Sequence, residues 1–381
     1  MAFDVSGHVV TVDRGWISLQ DLCVGDRVFH AAGSKAVVTS ADLQSTSQDC
    51  YRVQTTDGRV VVASGDQLWR VTDKRACRSI GSRTARTTWF EERTSSTREL
   101  LDSGLSRYLG GGRTSLTDGK RYSTNEYRYL LPSQAPIVSE SREPPLDPYL
   151  LGAWLGDGTS AGSILAAHVS DVPHWTETIV AAGFIPVVRI GGGTRDTRHI
   201  GITCAPGLGR QRRSFGGRLA ELNLIRNKHV PDAYLSAGTS QREAILQGML
   251  DTDGTINAAR GQVEFCSMNP RLADGVLQLA RSLGWRATLR TGRAMLKGRD
   301  YGEKFRVFFT PVRTDPYVPF GLARKRDRIK DHDGGKGRST LSIATITRVE
   351  PLPLCSIQVS GPDGMILLGD HFMPVLVGIS I

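Results

Sequence analysis

A nine-residue pattern occurs twice in this chain, and its repetition restricts the fold more than any other feature. LLGAWLGDG spans 150–158 and LQGMLDTDG spans 246–254. Each copy reads as about two helical turns ending in a glycine just past the last apolar position, where a left-handed helix stop is easiest. Within each copy a small residue recurs four places on, Gly152 with Gly156 and Gly248 with Thr252, so one face of each helix lacks bulk. Two such faces can pack backbone to backbone, and a parallel pair brings Asp157 and Asp253 to the same end. There the carboxylates join the partial negative charge of two helix C-termini. That accumulation calls for cations. Divalent metal bound to carboxylate, backbone oxygen and a substrate phosphate relieves it, and is also a known way to cleave phosphodiesters. Asp157, Asp253, Gly156 and Thr252 are therefore the candidate metal-binding positions.

The pair resembles the two motifs of a single-chain LAGLIDADG homing endonuclease, with leucine, glycine and the terminal Asp-Gly matched in both copies. The separation, 253 − 157 = 96 residues, is what two pseudo-symmetric half-domains need. The resemblance implies an α+β endonuclease domain over 147–330, with repeats at about 147–240 and 241–330. It implies hydrolysis of phosphodiester bonds with Mg2+ or Mn2+ as cofactor and Asp157 and Asp253 as catalytic residues. The implied partner is double-stranded DNA with a long recognition site, met by a monomer with internal pseudo-two-fold symmetry. Asn227-Lys228-His229-Val230-Pro231, ahead of the second motif, resembles the lysine-proline segment of intein nucleases. By that resemblance Lys228 is catalytic, polarising the attacking water or stabilising phosphate charge.

Each motif is followed by segments that alternate with period two. FIPVVRIGGG and TRDTRHIGITC follow the first, GWRATLRTGRAM and EKFRVFFTPV the second. The alternation places Arg189, Arg198 and His199 on one set of strand faces and Arg286, Arg290, Lys304 and Arg306 on the other. Two-stranded ribbons of this kind fit a DNA major groove, where arginine can bond guanine. Between them, Ser267-Met268-Asn269 caps a helix whose Leu272, Val276, Leu279 and Leu283 form a core stripe.

The formal charge of +10 and pI near 9.5 favour a polyanionic partner without separating nucleic acid from a membrane surface. No apolar run approaches a membrane span, and the start MAFDVSGHVV lacks a signal-peptide pattern. A soluble, cytoplasmic protein is expected. The six cysteines are scattered with no CxxC pair, so buried free thiols are expected rather than a zinc site or disulfide framework.

Outside the repeats, residues 5 to 71 read as short strands, with Thr56-Asp57-Gly58-Arg59 as a hairpin signal. Their order, with the Gly15-Trp16 turn and Val24-Gly25-Asp26, resembles the N-terminal half of an intein, the Hint fold, and residues 346–374 resemble its closing strand pair. The resulting expectation is multidomain. A discontinuous all-β Hint-like domain occupies 1–135 and 340–381, with the two-repeat endonuclease domain inserted. A basic arm at about 70–135 meets DNA phosphates or stays solvated, Pro132 to Pro148 form a linker, and 323–338 is a basic return linker.

By the intein resemblance, splicing needs a Cys or Ser at the first position, a block histidine, and a terminal His-Asn. Here the corresponding places hold Ala2, Gln67, Leu376 and Val377. The reading is a site-specific double-strand DNA endonuclease carrying a splicing-inactive intein-like domain. The alternative is a protein-splicing element with an embedded homing endonuclease.

Overall fold

The computed structural model describes residues 1–44, 48–78, 86–108, 113–114, 121–122, 125–141, 143–190, 195–204, 214–331 and 340–380. It is rich in sheet, with several helices, and divides into two compact units. One is Met1–Ile137 with Ser339–Ile381, the other Val138–Arg338.

In the first unit both chain ends enter one sheet. Strand Phe3–Asp4 lies between Leu354–Val359 and Val60–Ser64, with Phe3 opposite Cys355 on one side and Ala63 on the other. Leu341–Val349 pairs with Cys50–Thr55. Thr56 to Arg59 close the hairpin between Cys50–Thr55 and Val60–Ser64. Gly58 takes φ +86° there, a region open to glycine at little steric cost. Valines 9, 28 and 53 with Trp69, Ile343 and Ile366 are fully buried in its core.

The basic 70–135 stretch is in part ordinary sheet. Leu68–Arg78 and Arg86–Ser96 form a long antiparallel hairpin, and Tyr129–Leu131 pairs with Leu68–Arg78 and with Leu341–Val349. Two of its arginines serve a buried charge, since a carboxylate out of water must be paired. Arg128 clasps buried Asp73 at 2.7 and 2.8 Å, Arg93 approaches at 3.8 Å, and both cations lie over the Tyr129 ring. Residues 79–85, 109–112, 115–120 and 123–124 of that stretch, and 332–338 of the expected return linker, lie outside the described residues.

The second unit is built on helices α1 (Pro148–Asp157), α2 (Val172–Ala181), α3 (Thr239–Asp253) and α4 (Pro270–Ser282). Asp147 caps α1, its carboxylate accepting from the Leu150 N–H at 2.8 Å ahead of Pro148, the arrangement expected of a helix start. Helices α1 and α3 carry the two motif copies and pack without intervening side chains. A Cβ on Gly152 would sit 2.2 Å from the Ile245 carbonyl oxygen, and one on Gly248 would sit 2.1 Å from that of Tyr149. Further along, Gly156 faces Thr252, and the contacts advance together along both helices, so the pair is parallel.

Each helix feeds a small antiparallel sheet. In the first repeat β1 (Ile164–His168), β2 (Ile185–Ile190) and β3 (Thr197–Thr203) lie in the order β1-β3-β2. In the second, β4 (Gly254–Ile256), β5 (Val263–Ser267), β6 (Thr288–Leu296) and β7 (Arg299–Phe309) lie in the order β4-β5-β7-β6. Leu272, Val276, Leu279 and Leu283 of the α4 stripe are buried in one core with Phe265, Val307 and Phe309.

The motif glycines do not stop their helices in the left-handed way. Gly158 has φ −73° and ψ 152°, Gly254 φ −89° and ψ 151°, both extended. Glycine is needed there for space. A Cβ would lie 2.3 Å from the Trp154 carbonyl oxygen in one copy and 2.5 Å from that of Leu250 in the other.

Candidate active site

The ends of α1 and α3 bring Asp157 and Asp253 into electrostatic contact. Asp253 is half-buried, and desolvation followed by repulsion from Asp157 pushes its pKa up to about 6, against the attraction of Lys228 and Lys325. Desolvation also raises Asp157, although this carboxylate is the more open to solvent of the two.

Each helix end is met by one lysine. Lys228 Nζ donates to the carbonyls of Leu155, Gly156 and Gly158 at 3.0, 3.0 and 2.6 Å. Lys325 Nζ donates to those of Leu250, Asp251 and Gly254 at 2.7, 2.7 and 2.6 Å. These carbonyls sit at or just past a helix C-terminus, and a cation there opposes the macrodipole. Desolvation lowers both ammonium groups to about 8, opposed by the aspartates. An ammonium has three donors, so each lysine is fully spent on backbone and acts beyond it through its charge. Of the other expected metal-binding positions, the Gly156 oxygen already accepts from Lys228, and the Thr252 hydroxyl donates back to Gly248 and Met249.

Lys325 was not legible as a site residue because it lies in a basic stretch that reads as linker. The repeat itself held the signal. Lys228 follows its aspartate by 228 − 157 = 71 residues and Lys325 follows its own by 325 − 253 = 72.

The strand faces separate the candidate DNA contacts. In the first repeat Arg189 is directly opposite His199, on the face away from the core. Arg198 lies on the other face, opposite Ile190, with its guanidinium on the carbonyls of Arg195 and Thr197. Consecutive residues of a strand point to opposite faces, so Arg198 and His199 do not share one. In the second repeat Arg290 is opposite Arg306 and Lys304 is opposite Gly292, all on one face. Arg286 precedes β6 rather than lying in it. Arg306 is clasped by Glu264 at 2.5 and 2.8 Å, and both Arg306 and Arg290 stack on Phe308.

In the first unit Ala2 and Gln67 are both fully buried. The Gln67 amide donates to the carbonyls of Leu68 and Leu376, each at 2.7 Å, and the Ala2 carbonyl accepts from Ser64 at 2.9 Å. Val377 is buried, its N–H donating to Gly364. Cys50 and Cys355 are buried free thiols, whereas Cys23 and Cys266 are exposed and Cys204 is intermediate, so burial holds for only part of the cysteine set. Among the described residues no cluster of three or more His, Cys, Asp or Glu is arranged to hold a metal. No helix among them is long and apolar enough to cross a membrane.

Residues 240–306, from α3 into β7, match the model of a LAGLIDADG-like domain. These residues carry a LAGLIDADG-like domain. A curated relative, the replicative DNA helicase DnaB of Mycobacterium intracellulare, is 30% identical over 311 residues, which cover 82% of this chain and 47% of the helicase. The chain thus spans about half the length of that relative. Among solved structures it is similar to the homing endonuclease I-DmoI in complex with DNA and Mn, at 13% identity over 44% of this chain and 89% of that one, TM-score 0.29. It is also similar to the MchDnaB-1 intein, at 23% identity over 25% of this chain and 78% of that one, TM-score 0.18. The LAGLIDADG match ends before Lys325.

Proposed function

We propose that this chain is a divalent-metal-dependent, site-specific endonuclease that cuts both strands of a DNA duplex, carried within an intein-like β unit. The observation that supports it most is the pair of aspartates at the ends of two glycine-locked parallel helices, each helix end backed by its own lysine. The donors suit a hard cation. Two carboxylates that are both costly to ionise, Asp253 in part through repulsion from Asp157, gain most from a divalent ion, and oxygen ligands favour Mg2+ or Mn2+. Asp157 and Asp253 would hold it, and a bound ion supplies Lewis-acid activation and charge neutralisation at a phosphate.

The chain's own groups prepare the rest. Lys228 and Lys325, protonated at neutral pH, place positive charge behind each helix end and limit the repulsion between carboxylates and DNA phosphates. The sheets present Arg189 with His199, and Arg290 with Lys304 and Arg306, as cationic faces for the duplex backbone and base edges. Incubating the protein with a randomised duplex library and Mg2+, then sequencing the cut ends, tests the reading. A defined site cut on both strands supports it, and an intact library contradicts it.

A second reading, a protein-splicing element, is favoured by one observation. Phe3 lies opposite Cys355, a buried thiol beside the start of the chain. Against it, Ala2 offers no nucleophile and the Gln67 amide does not titrate near neutral pH. Mass spectrometry of the chain placed between two reporter domains separates the readings. Unligated chain fits the splicing-inactive unit. A ligated product lost in Cys355→Ala supports the second.

A further inference from the structure

Asp251 lies two residues before Asp253, where the first repeat places Leu155 two residues before Asp157. Both positions are deeply buried, at 2% and 0% exposure, and a leucine fills such a place without desolvating a charge. The carboxylate at 251 is used through a single oxygen. Its Oδ2 accepts from the Tyr149 hydroxyl at 2.7 Å, the Gly321 N–H at 2.8 Å and the Leu322 N–H at 3.0 Å. Its Oδ1 has no hydrogen-bond partner among the described residues. A buried carboxylate half matched in this way costs stability, so its retention has to be explained by what Oδ2 holds.

It holds the root of the lysine. Leu322 is the N-cap of the single helical turn Ala323–Arg326, and that turn carries Arg324 to Asp171 at 2.5 and 3.1 Å and Lys325 to the end of α3. Gly321 is close enough that a Cβ would lie 2.9 Å from Asp251 Oδ2. Tyr149 brings α1 into the same arrangement, stacked on Trp175, with its hydroxyl 2.7 Å from His174 Nε2. The first repeat supports its lysine otherwise. Lys228 Nζ lies 4.9 Å from the centre of the Trp154 ring, and its backbone carbonyl accepts from Asn269 Nδ2 at 2.8 Å.

We propose that Asp251 is a positioning residue for one half-site only: its carboxylate seats the Gly321–Lys325 turn so that the Lys325 ammonium stays on the end of α3, while the Lys228 half-site does not depend on it. This rests on the nuclease reading and adds that the two strands are cut under separate support.

The test is strand-resolved cutting of a supercoiled plasmid carrying a site recovered from the library selection, by wild type, Asp251→Leu, Asp251→Asn and Gly321→Ala. Asp251→Leu, which copies the first repeat, is expected to accumulate nicked circles, with one strand slowed on the order of tenfold or more by the loss of its positioning bonds. All nicks should fall on the other strand. Asp251→Asn keeps an acceptor for the Gly321 and Leu322 amides and restores linear product. Gly321→Ala changes no residue of either helix but sets a Cβ against the Tyr149 hydroxyl and Asp251 Oδ2, which displaces the turn and reproduces the nicking, and this keeps the proposal open to refutation if the leucine variant does not fold. Equal slowing of both strands, nicks on either strand, or unchanged cutting by both Asp251→Leu and Gly321→Ala overturns it. A wild type that cuts nothing removes the nuclease reading instead. In that case the 15N ammonium signals of Lys325 and Lys228, assigned with arginine variants, decide. Loss of the Lys325 signal alone in Asp251→Leu upholds the positioning role, and loss of both or neither refutes it.

Discussion

The two repeats solve one backbone problem in the same way and one side-chain problem differently. In both, a glycine face lets helix meet helix, an extended glycine turns the chain across the helix end, and a lysine covers the last carbonyls. The supports diverge. Lys228 is half-buried against Trp154, while Lys325 is 7% exposed above a buried carboxylate. The sheets diverge too, with three strands against four among the described residues and an outward-facing Arg189–His199 pair against a cationic face pinned by Glu264. Features fixed by contact between main chains recur, and those carried by side-chain networks drift apart. The reason is physical, because a backbone contact at about 2 Å from a missing Cβ admits one residue type, whereas several networks can hold one ammonium group.

The comparison breaks most sharply at the shared glycines. Gly248→Leu and Gly152→Leu are each expected to abolish cooperative unfolding of the second unit, because even an alanine would drive its Cβ into a carbonyl oxygen; overpacking of this kind costs about 3 kcal/mol or more. Thermal melts followed by near-ultraviolet circular dichroism check this, and a variant melting within a few degrees of wild type would refute the close contact.

A smaller effect separates carboxylates from lysines by pH. Asp253 is raised to about 6 in the folded chain, so it favours the fold below its unfolded pKa and that contribution is lost as pH rises through 6. The lysines are lowered to about 8, so their contribution is present above the unfolded value and lost as pH falls through 8. Between pH 6 and 8 both are at their least favourable. Asp253→Asn should therefore stabilise the metal-free protein at pH 7, on the order of 1–2 kcal/mol. Added Mg2+ should raise the wild-type melting temperature more at pH 7.5 than at pH 5. Equal shifts at the two pH values, or a destabilised variant, would show that the aspartates do not carry the strain.

The smallest expected differences lie in the sheets. Arg290→Ala should weaken DNA binding several-fold and reduce the salt slope by about one unit if it meets a phosphate. Glu264→Gln frees Arg306 and should tighten binding slightly. Gel shifts across a salt series measure both, and a flat salt response would remove the second-repeat face from the interface.

Much of this was readable in the sequence, and particular residues show why. The small-residue spacing of Gly152, Gly156, Gly248 and Thr252 announces a packed helix pair, because in a helix four places on is the same face. The Thr56 to Arg59 turn and the α4 stripe are equally local. Extended Gly158 and Gly254 were not readable, since their space is limited by a carbonyl oxygen of the folded helix end. Nor was Asp73, whose burial turns two arginines of an apparently solvated arm into structural partners. Lys325 sits between the two cases. Its surroundings read as linker, and only the repeat spacing marks it.

The central claim is that Asp157 and Asp253 form one metal-dependent cutting centre. The most direct measurement is cleavage of a supercoiled plasmid bearing the selected site by Asp157→Asn and Asp253→Asn in Mg2+, with gel-shift binding alongside. The account predicts that each variant binds DNA as tightly as wild type or slightly more so, and that linearisation falls by orders of magnitude, because each carboxylate is a charged ligand rather than a residue that holds the fold. Linearisation at the wild-type rate by both single variants would contradict it.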